Sequence, residues 1–253
     1  MKFLDAYVRS PFAGLAPWIL MAVVAGPGRF EEAASSALGL SLLTLWVGTR
    51  RGVPVHSLEA LTIAYFGVLA VLGLLAPDGV IDWLQLWAGE LSNIVLAVFA
   101  VGTLIVRRPF TMAYAKDTTP REHWDTAPFR RINFAITGAW AAAFVVSAIS
   151  GGIGDAVLGD NDNFWTAWII PIGALVFAAS FTEFYPDYAT GESNSWSGAI
   201  DWLPPFLTVT GIVGWVSDST SDTVAIALIA VGIVGSIAVR RLLPEKPIST
   251  APQ

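Results

Sequence analysis

Cysteine is absent from the 253-residue chain, and histidine occurs only twice, as His56 and His123. Without cysteine the protein cannot form a disulfide, a thiolate metal site or a thiol nucleophile. Two histidines are too few for a multi-histidine metal or haem site within one chain, so we expect no metal and no cofactor. Charged residues are also scarce, at 13% of the chain, against about 25% in a typical soluble domain. This deficit indicates that lipid is the main solvent of the protein.

Sequence motifs of catalysis and of nucleotide binding are absent as well. The chain has no phosphate-binding glycine loop, no G-x-S-x-G and no H-E-x-x-H. Its net charge of −6 gives it no overall basic character for binding nucleic acid. We therefore expect a protein that is not an enzyme and has no nucleic-acid partner.

Long apolar stretches dominate the sequence, and a helix needs about 20 mostly apolar residues to cross a bilayer. Eight such stretches occur, of which the first, second and seventh are short: 12–27, 33–49, 58–76, 85–106, 132–150, 164–182, 200–216 and 223–240. The pattern predicts an all-α fold, a polytopic transmembrane helical bundle of about eight spans, with residues 1–253 in a single domain. The first stretch also resembles a signal peptide, but it lacks a good cleavage site, so we expect it to remain as a span.

Basic residues divide unevenly between the segments that connect these stretches. If all eight stretches cross, thirteen of the fourteen Lys and Arg residues lie on one side, and only Arg29 lies on the other. Basic segments resist translocation, so the basic side is the cytoplasm and both termini are cytoplasmic. One connection on the same side, residues 183–202, carries only acidic charges. The charge rule therefore does not determine where that segment lies.

Glu90 is the most unusual charge, because it lies inside the fourth apolar stretch. Asn93 follows three residues later on the same helix face, and Asn133 opens the fifth stretch. These three residues form a candidate polar intramembrane site, because a buried carboxylate in lipid indicates function by default. The alternative is structural: counting back from Arg107 starts the helix near Trp87, and Glu90 then lies only about 5 Å deep, within reach of the headgroups. Asn133 can equally serve as a hydrogen bond between helices.

The connection between the fourth and fifth stretches alternates basic and aromatic residues. Guanidinium groups bind phosphate and aromatic rings prefer the headgroup region, so this pattern is typical of contact with anionic lipids. The alternative is ordinary anchoring of a cytoplasmic segment by its positive charges. The residues that we expect to contact anionic lipids or a partner are Arg107, Arg108, Phe110, Tyr114, Arg130 and Arg131.

Three other residues are explained by structure more simply than by function. Glu59 opens the third stretch, where a carboxylate complements the N-terminus of a helix. His56 lies beside it at the cytoplasmic boundary, and a pH-sensing role is the alternative there. Trp140 lies in the middle of the fifth stretch, away from both interfaces, which predicts packing between helices.

Several short strings occur in a characteristic order along the middle of the chain. They are Leu45-Trp46-Val47-Gly48-Thr49-Arg50-Arg51, Arg107-Arg108-Pro109-Phe110-Thr111, His123-Trp124, Arg131-Ile132-Asn133-Phe134 and Asp162-Asn163-Phe164-Trp165. From about residue 32 to 188, this order resembles the intracellular septation protein A family of bacterial inner-membrane proteins. The resemblance implies a place in the bacterial inner membrane and a role in envelope integrity and in septum and cell-wall assembly, with no established enzymatic activity. The chain departs from the family by an additional helical hairpin at residues 198–241.

These observations favour a non-enzymatic inner-membrane protein that supports cell-envelope or septum organisation. It would act through contacts with lipids, including anionic lipids, or with envelope or division proteins of the membrane. Two alternatives are open. One is a small transporter or channel that uses Glu90, Asn93 and Asn133. The other is an accessory subunit of a membrane complex, which the many aromatic and glycine residues would suit.

Overall fold

A computed structural model of the chain describes residues 7–26, 28–160, 162–192 and 196–242. Within these ranges the protein is all-α and contains no β-strand. Eight long helices and one short helix, α5, follow one another: α1 (Pro11–Val24), α2 (Phe30–Arg50), α3 (Ser57–Leu75), α4 (Asp78–Ile105), α5 (Thr111–Thr118), α6 (Ala127–Ile153), α7 (Ile170–Thr190), α8 (Leu203–Val216) and α9 (Asp222–Leu242). Each predicted apolar stretch overlaps one long helix, so the predicted all-α architecture is confirmed. Lys2 and Lys246, which support the predicted topology, lie outside the described residues.

Six helical segments are long and apolar enough to cross a membrane. They are α3, α4, α6 with its extension to Leu158, α7 with a preceding turn from Phe164, α8 with a preceding turn from Trp196, and α9. The helix α1 is apolar but has only 14 residues, which span about 21 Å at a rise of about 1.5 Å per residue. The helix α2 opens with Glu31 and Glu32. The length and composition of the six segments indicate a multi-pass membrane protein.

The helix α4 begins earlier than the sequence predicted. It starts at Asp78, directly after Pro77 in an extended conformation, and runs for 28 residues. Proline lacks the N–H that a helix interior requires, and an acidic side chain in the first turn complements the helix dipole. Glu90 therefore lies about 18 Å inside the helix, and the predicted start near Trp87 is wrong.

The facing ends of α6 and α7 are wound more widely than an α-helix. Residues Gly154–Leu158 continue α6 as a π-helical turn, and Phe164–Ile169 lead into α7 as a second one. Asn163 caps the second turn, because its side chain accepts hydrogen bonds from the backbone N–H groups of Trp165 and Thr166. Turns of this kind are rare and occur frequently at functional sites.

Aromatic side chains form much of the core between α1, α3, α6 and α7. Trp140 is 2% exposed, and its indole N–H donates to Thr182 Oγ1 of α7 at 3.0 Å. Its ring also meets Phe12 of α1 edge-on, with the ring centroids 6.0 Å apart. On another side of α1, Trp18 stacks on Tyr65 of α3 with the centroids 4.8 Å apart. The prediction that Trp140 packs between helices is confirmed.

The helices α8 and α9 form the hairpin that the sequence predicted after residue 198. Among the described residues they pack mainly on each other. Gly232 permits the close approach, because a Cβ atom there would lie 2.6 Å from the carbonyl oxygen of Pro204. Small residues commonly allow helices to associate in membranes. The hairpin meets the rest of the bundle at α7, where the Phe206 ring lies over Gly173.

Candidate functional site

The connection between α4 and α6 is folded back against the bundle. After α4, Arg107 adopts a left-handed conformation with a φ of 57°, and the Arg108 N–H donates to the Thr103 carbonyl oxygen at 2.8 Å. These features end the helix and turn the chain, so that α5 packs on α6. A non-glycine residue in the left-handed conformation costs about 1–2 kcal/mol, which the packing of the connection must offset.

One face of α5 is buried in the bundle. Phe110 and Tyr114 are 2% and 4% exposed, and both rings belong to the hydrophobic core. The Thr111 hydroxyl lies 2.7 Å from Thr137 Oγ1 and donates to the Asn133 carbonyl oxygen at 3.1 Å. Asn133 donates its own side-chain N–H to the preceding turn of α6 at 2.9 Å. The Thr111 hydroxyl also lies 3.4 Å from Asn133 Oδ1, so the Asn133 side chain helps to join α5 to α6.

Polar side chains also connect α5 to the start of α3. The Tyr114 hydroxyl donates to Glu59 Oε1 at 2.8 Å, and Glu59 Oε2 accepts from the His56 N–H at 3.0 Å. His56 Nε2 lies 2.8 Å from Asp117 Oδ2. Burial, together with the Glu59 carboxylate, raises the pKa of Tyr114, so the hydroxyl keeps its proton and remains a donor. The expected contact of Glu59 with the helix N-terminus is confirmed.

The opposite side of α5 borders a cleft with a volume of about 300 Å³. Its basic residues come from three parts of the connection: Arg107 follows α4, Lys116 lies on α5 and Arg130 lies on α6. The residues that line this basic cleft are Arg107, Met112, Lys116, Trp124, Asp125, Arg130 and Phe134. Three cations and one carboxylate give the lining a net positive charge, which suits an anion.

Trp124 holds one cation of the basic cleft, Lys116, and a second cation, Arg121, that lies outside the cleft lining. Its indole N–H donates to the Thr119 carbonyl oxygen at 2.9 Å, which fixes the ring. Lys116 Nζ lies 5.0 Å and Arg121 Cζ 5.6 Å from the ring centroid, both within the range of cation–π attraction. Arg130 pairs with an exposed Asp125 at 3.2 Å, a contact worth at most about 1 kcal/mol. An incoming anion can therefore compete with it.

The structure divides the four arginines that were expected to contact anionic lipids or a partner. Arg107 and Arg130 line the basic cleft. Arg108 and Arg131 are also exposed, but they lie outside its lining. The sequence alone could not make this division, because each arginine of the cleft has an arginine that does not line it as its direct neighbour in the chain.

The predicted lipid contact of Phe110 and Tyr114 is wrong, because the core buries both rings. A signal for this was present in the sequence. Phe110 and Tyr114 are four residues apart, so they share one face of a helix, and that face is the buried one. Lys116 and Trp124 belong to the same basic and aromatic connection but were not among the six residues expected to make the contact. The structure places both of them in the basic cleft.

Glu90 lies far from this cleft. Its carboxyl contacts the carboxyl of Asp155, and its Oε1 lies against Gly151 near the far end of α6. Asn133 precedes Gly151 on the same helix by about 27 Å, so Glu90 and Asn133 do not share a cavity. Asn93 is half-buried on α4. The structure therefore does not assemble the predicted three-residue polar site.

A second polar region surrounds the Glu90 contact at the ends of α6 and α7. Two carboxyl groups in contact share a hydrogen bond only when one of them holds a proton. Asp155 Oδ2 and Thr166 Oγ1 are both buried without a hydrogen-bond partner among the described residues. The Thr166 carbonyl oxygen accepts from Ser150 Oγ at 2.8 Å. The sequence did not predict the partnership of Glu90 with Asp155, because it joins distant segments.

No protein-family model, curated protein or solved structure matches the chain. Within the part of the chain that the structure describes, no group of three or more His, Asp or Glu side chains is arranged to hold a metal ion. The functional assignment therefore rests on the membrane-spanning architecture, the basic cleft and the polar region around Glu90.

Proposed function

We propose that this chain is an eight-span protein of the bacterial inner membrane that supports organisation of the cell envelope or septum. Both termini lie in the cytoplasm, and α1 and α2 are the two further crossings. The basic face at the α4–α6 connection contacts anionic lipids and envelope or division proteins. The observation that carries the proposal is the basic cleft, which joins three cations and an indole ring at the side where positive charge is concentrated.

The charges at other helix ends support the same orientation. Arg50 ends α2 and lies 5.5 Å from the Trp46 ring centroid, and Arg240 and Arg241 lie in the last turn of α9. An indole and a guanidinium together suit the headgroup boundary. The short helix α1 can be accommodated by local thinning of the bilayer. The resemblance to septation protein A proteins supports the envelope role, and the protein acts through contacts without catalysis.

Replacing Arg107, Arg108, Arg130 and Arg131 together with glutamine tests the role of the basic face. Each basic residue near an anionic surface contributes about 1 kcal/mol of attraction, so the variant should retain much less anionic lipid. The loss should be largest at low salt, because salt screens exposed charges. Native mass spectrometry of the purified proteins would compare the anionic and zwitterionic lipids that remain bound.

A variant with lysine at the same four positions is the matched control. It keeps the charge, so it should insert normally and retain anionic lipid. If the glutamine variant inserts normally and its bound lipids match those of the wild type, the proposed lipid contact is incorrect. The arginines would then serve only to orient the protein in the membrane.

A small transporter or channel is the second candidate function, and the contact of Glu90 with Asp155 favours it. A pair of carboxyl groups inside a membrane protein is suited to holding a proton or a cation. Proton or cation flux into vesicles that contain the wild-type protein, above that of protein-free vesicles, would support this candidate. Glu90→Gln should abolish such a flux without loss of folded protein. A contact-only protein shows no flux in either form.

A further inference from the structure

The three cations of the basic cleft line one cavity. On a diffuse basic surface, the cations would instead be spread without a common cavity. Arg107, Lys116 and Arg130 come from the end of α4, from α5 and from α6, and all three line one cleft. Their immediate neighbours Arg108 and Arg131 do not line it. The fold therefore selects one arginine from each adjacent pair and adds a lysine from the helix between them.

Hydrogen bonds within the protein fix the helix and the backbone turn that carry the residues of the cleft, so the site is pre-organised. On the buried side of α5, Tyr114 donates to Glu59 and Thr111 donates to the Asn133 carbonyl oxygen, which fixes the helix that carries Lys116. Arg107 is held in a left-handed conformation, and strained residues of this kind concentrate at ligand sites. A pre-organised site loses less entropy on binding than a flexible one does.

From these features we infer that the basic cleft binds one phosphate-bearing headgroup of an anionic phospholipid, with Arg107, Lys116 and Arg130 around the phosphate and Trp124 as the wall. This inference rests on the proposed function and gives it a discrete site. Guanidinium forks match phosphate oxygens and can bind them in pairs, while an ammonium acts as a point charge. The volume of about 300 Å³ lies at the lower end for small-molecule pockets and suits a headgroup.

The site selects against zwitterionic lipids. A choline group commonly binds over the face of an aromatic ring, but Lys116 and Arg121 already lie over the Trp124 ring. A third cation would be repelled there. Met112 and Phe134 complete the lining with apolar surface, which suits the glycerol end of a lipid better than the hydration shell of a free phosphate ion.

The test compares two double variants with equal loss of charge, Arg107→Gln with Arg130→Gln, and Arg108→Gln with Arg131→Gln. Purified proteins would be titrated with phosphatidylglycerol or phosphatidylcholine in detergent, and the bound lipid counted by native mass spectrometry. We expect the cleft pair to lower phosphatidylglycerol binding roughly tenfold or more. The control pair should change it less than about twofold, and phosphatidylcholine should bind weakly to all forms.

Lys116→Gln provides a third arm, because it removes one charge from the connection and leaves all of its arginines to orient the protein. It should weaken phosphatidylglycerol binding even if a double arginine variant inserts poorly. Equal losses in the two arginine pairs would overturn the discrete site but leave the lipid-binding face of the proposed function intact. Unchanged binding in every variant would overturn both.

Soluble glycerol phosphate separates a lipid from a free phosphate ligand. In competition with phosphatidylglycerol, it should displace little lipid at equal concentration, because it lacks the acyl chains that hold the lipid at the membrane. Full displacement at equal concentration would assign the cleft to a soluble phosphate compound and overturn the lipid inference.

Discussion

Trp140→Ala should lower the stability of the bundle by about 3–5 kcal/mol, the range for removing a large aromatic side chain from a packed core. The side chain is 2% exposed and joins its own helix α6 to two others, through Phe12 on α1 and Thr182 on α7. It also packs on Phe144, one turn further along α6. Its removal leaves a cavity and takes away the N–H that donates to the Thr182 hydroxyl, which keeps its own bond to the Ala178 carbonyl oxygen. The free energy of unfolding in mild detergent, measured by denaturant titration and circular dichroism, gives the size of the loss.

Two control variants show whether the loss of stability comes from removing the buried Trp140 ring. Trp140→Phe keeps most of the ring volume and should lose clearly less stability than the alanine variant. Trp46→Ala removes a ring that is 57% exposed and should change the free energy of unfolding by less than about 0.5 kcal/mol. If Trp140→Ala costs no more than Trp46→Ala, the packing of α1 and α7 on this ring is incorrect.

Glu59→Ala should cost about 2–4 kcal/mol, since two donors lose their acceptor at once. The His56 N–H and the Tyr114 hydroxyl both donate to this carboxylate. Loss of a helix cap costs about 1 kcal/mol, and a buried hydroxyl without an acceptor costs about 1–3 kcal/mol. The same variant should weaken binding of anionic lipid, because α5 carries Lys116 into the basic cleft.

The same denaturant titration, combined with native mass spectrometry, measures both consequences of Glu59→Ala. Glu59→Gln keeps an oxygen acceptor and should retain a larger share of both stability and lipid binding. Glu122→Ala, which removes an exposed carboxylate outside this network, should leave both unchanged. Normal lipid binding by a clearly destabilised Glu59→Ala protein would show that α5 does not position the cleft.

Local sequence features predicted the helices and several individual contacts. An apolar stretch of sufficient length favours a helix with little help from its neighbours, so every predicted stretch overlaps a helix in the part of the chain that the structure describes. The contact of Glu59 with the start of α3 spans only three residues and follows from the physics of helix ends. Trp140 was placed in the core because its position is remote from both interfaces.

Contacts between segments that are distant along the chain could not be predicted from a single sequence. The partnership of Glu90 with Asp155 joins α4 to the end of α6, and no local pattern specifies it. The start of α4 was misplaced because counting apolar residues does not detect a helix that continues into polar sequence. The burial of Phe110 depends on which face of the eight-residue helix α5 meets the bundle, and composition alone favoured the headgroups instead.

Labelling that shows which side of the membrane each connection faces tests the central proposal most directly. A cytoplasmic lipid site requires the basic cleft to face the cytoplasm. The absence of native cysteine permits single-cysteine labelling with a membrane-impermeant maleimide. Thr118→Cys lies at the end of α5, and Ser219→Cys lies in the turn between α8 and α9; both positions are exposed. In intact spheroplasts Ser219→Cys should be labelled and Thr118→Cys should react only after lysis. Labelling of Thr118→Cys in intact spheroplasts would contradict the proposed orientation and the lipid site with it.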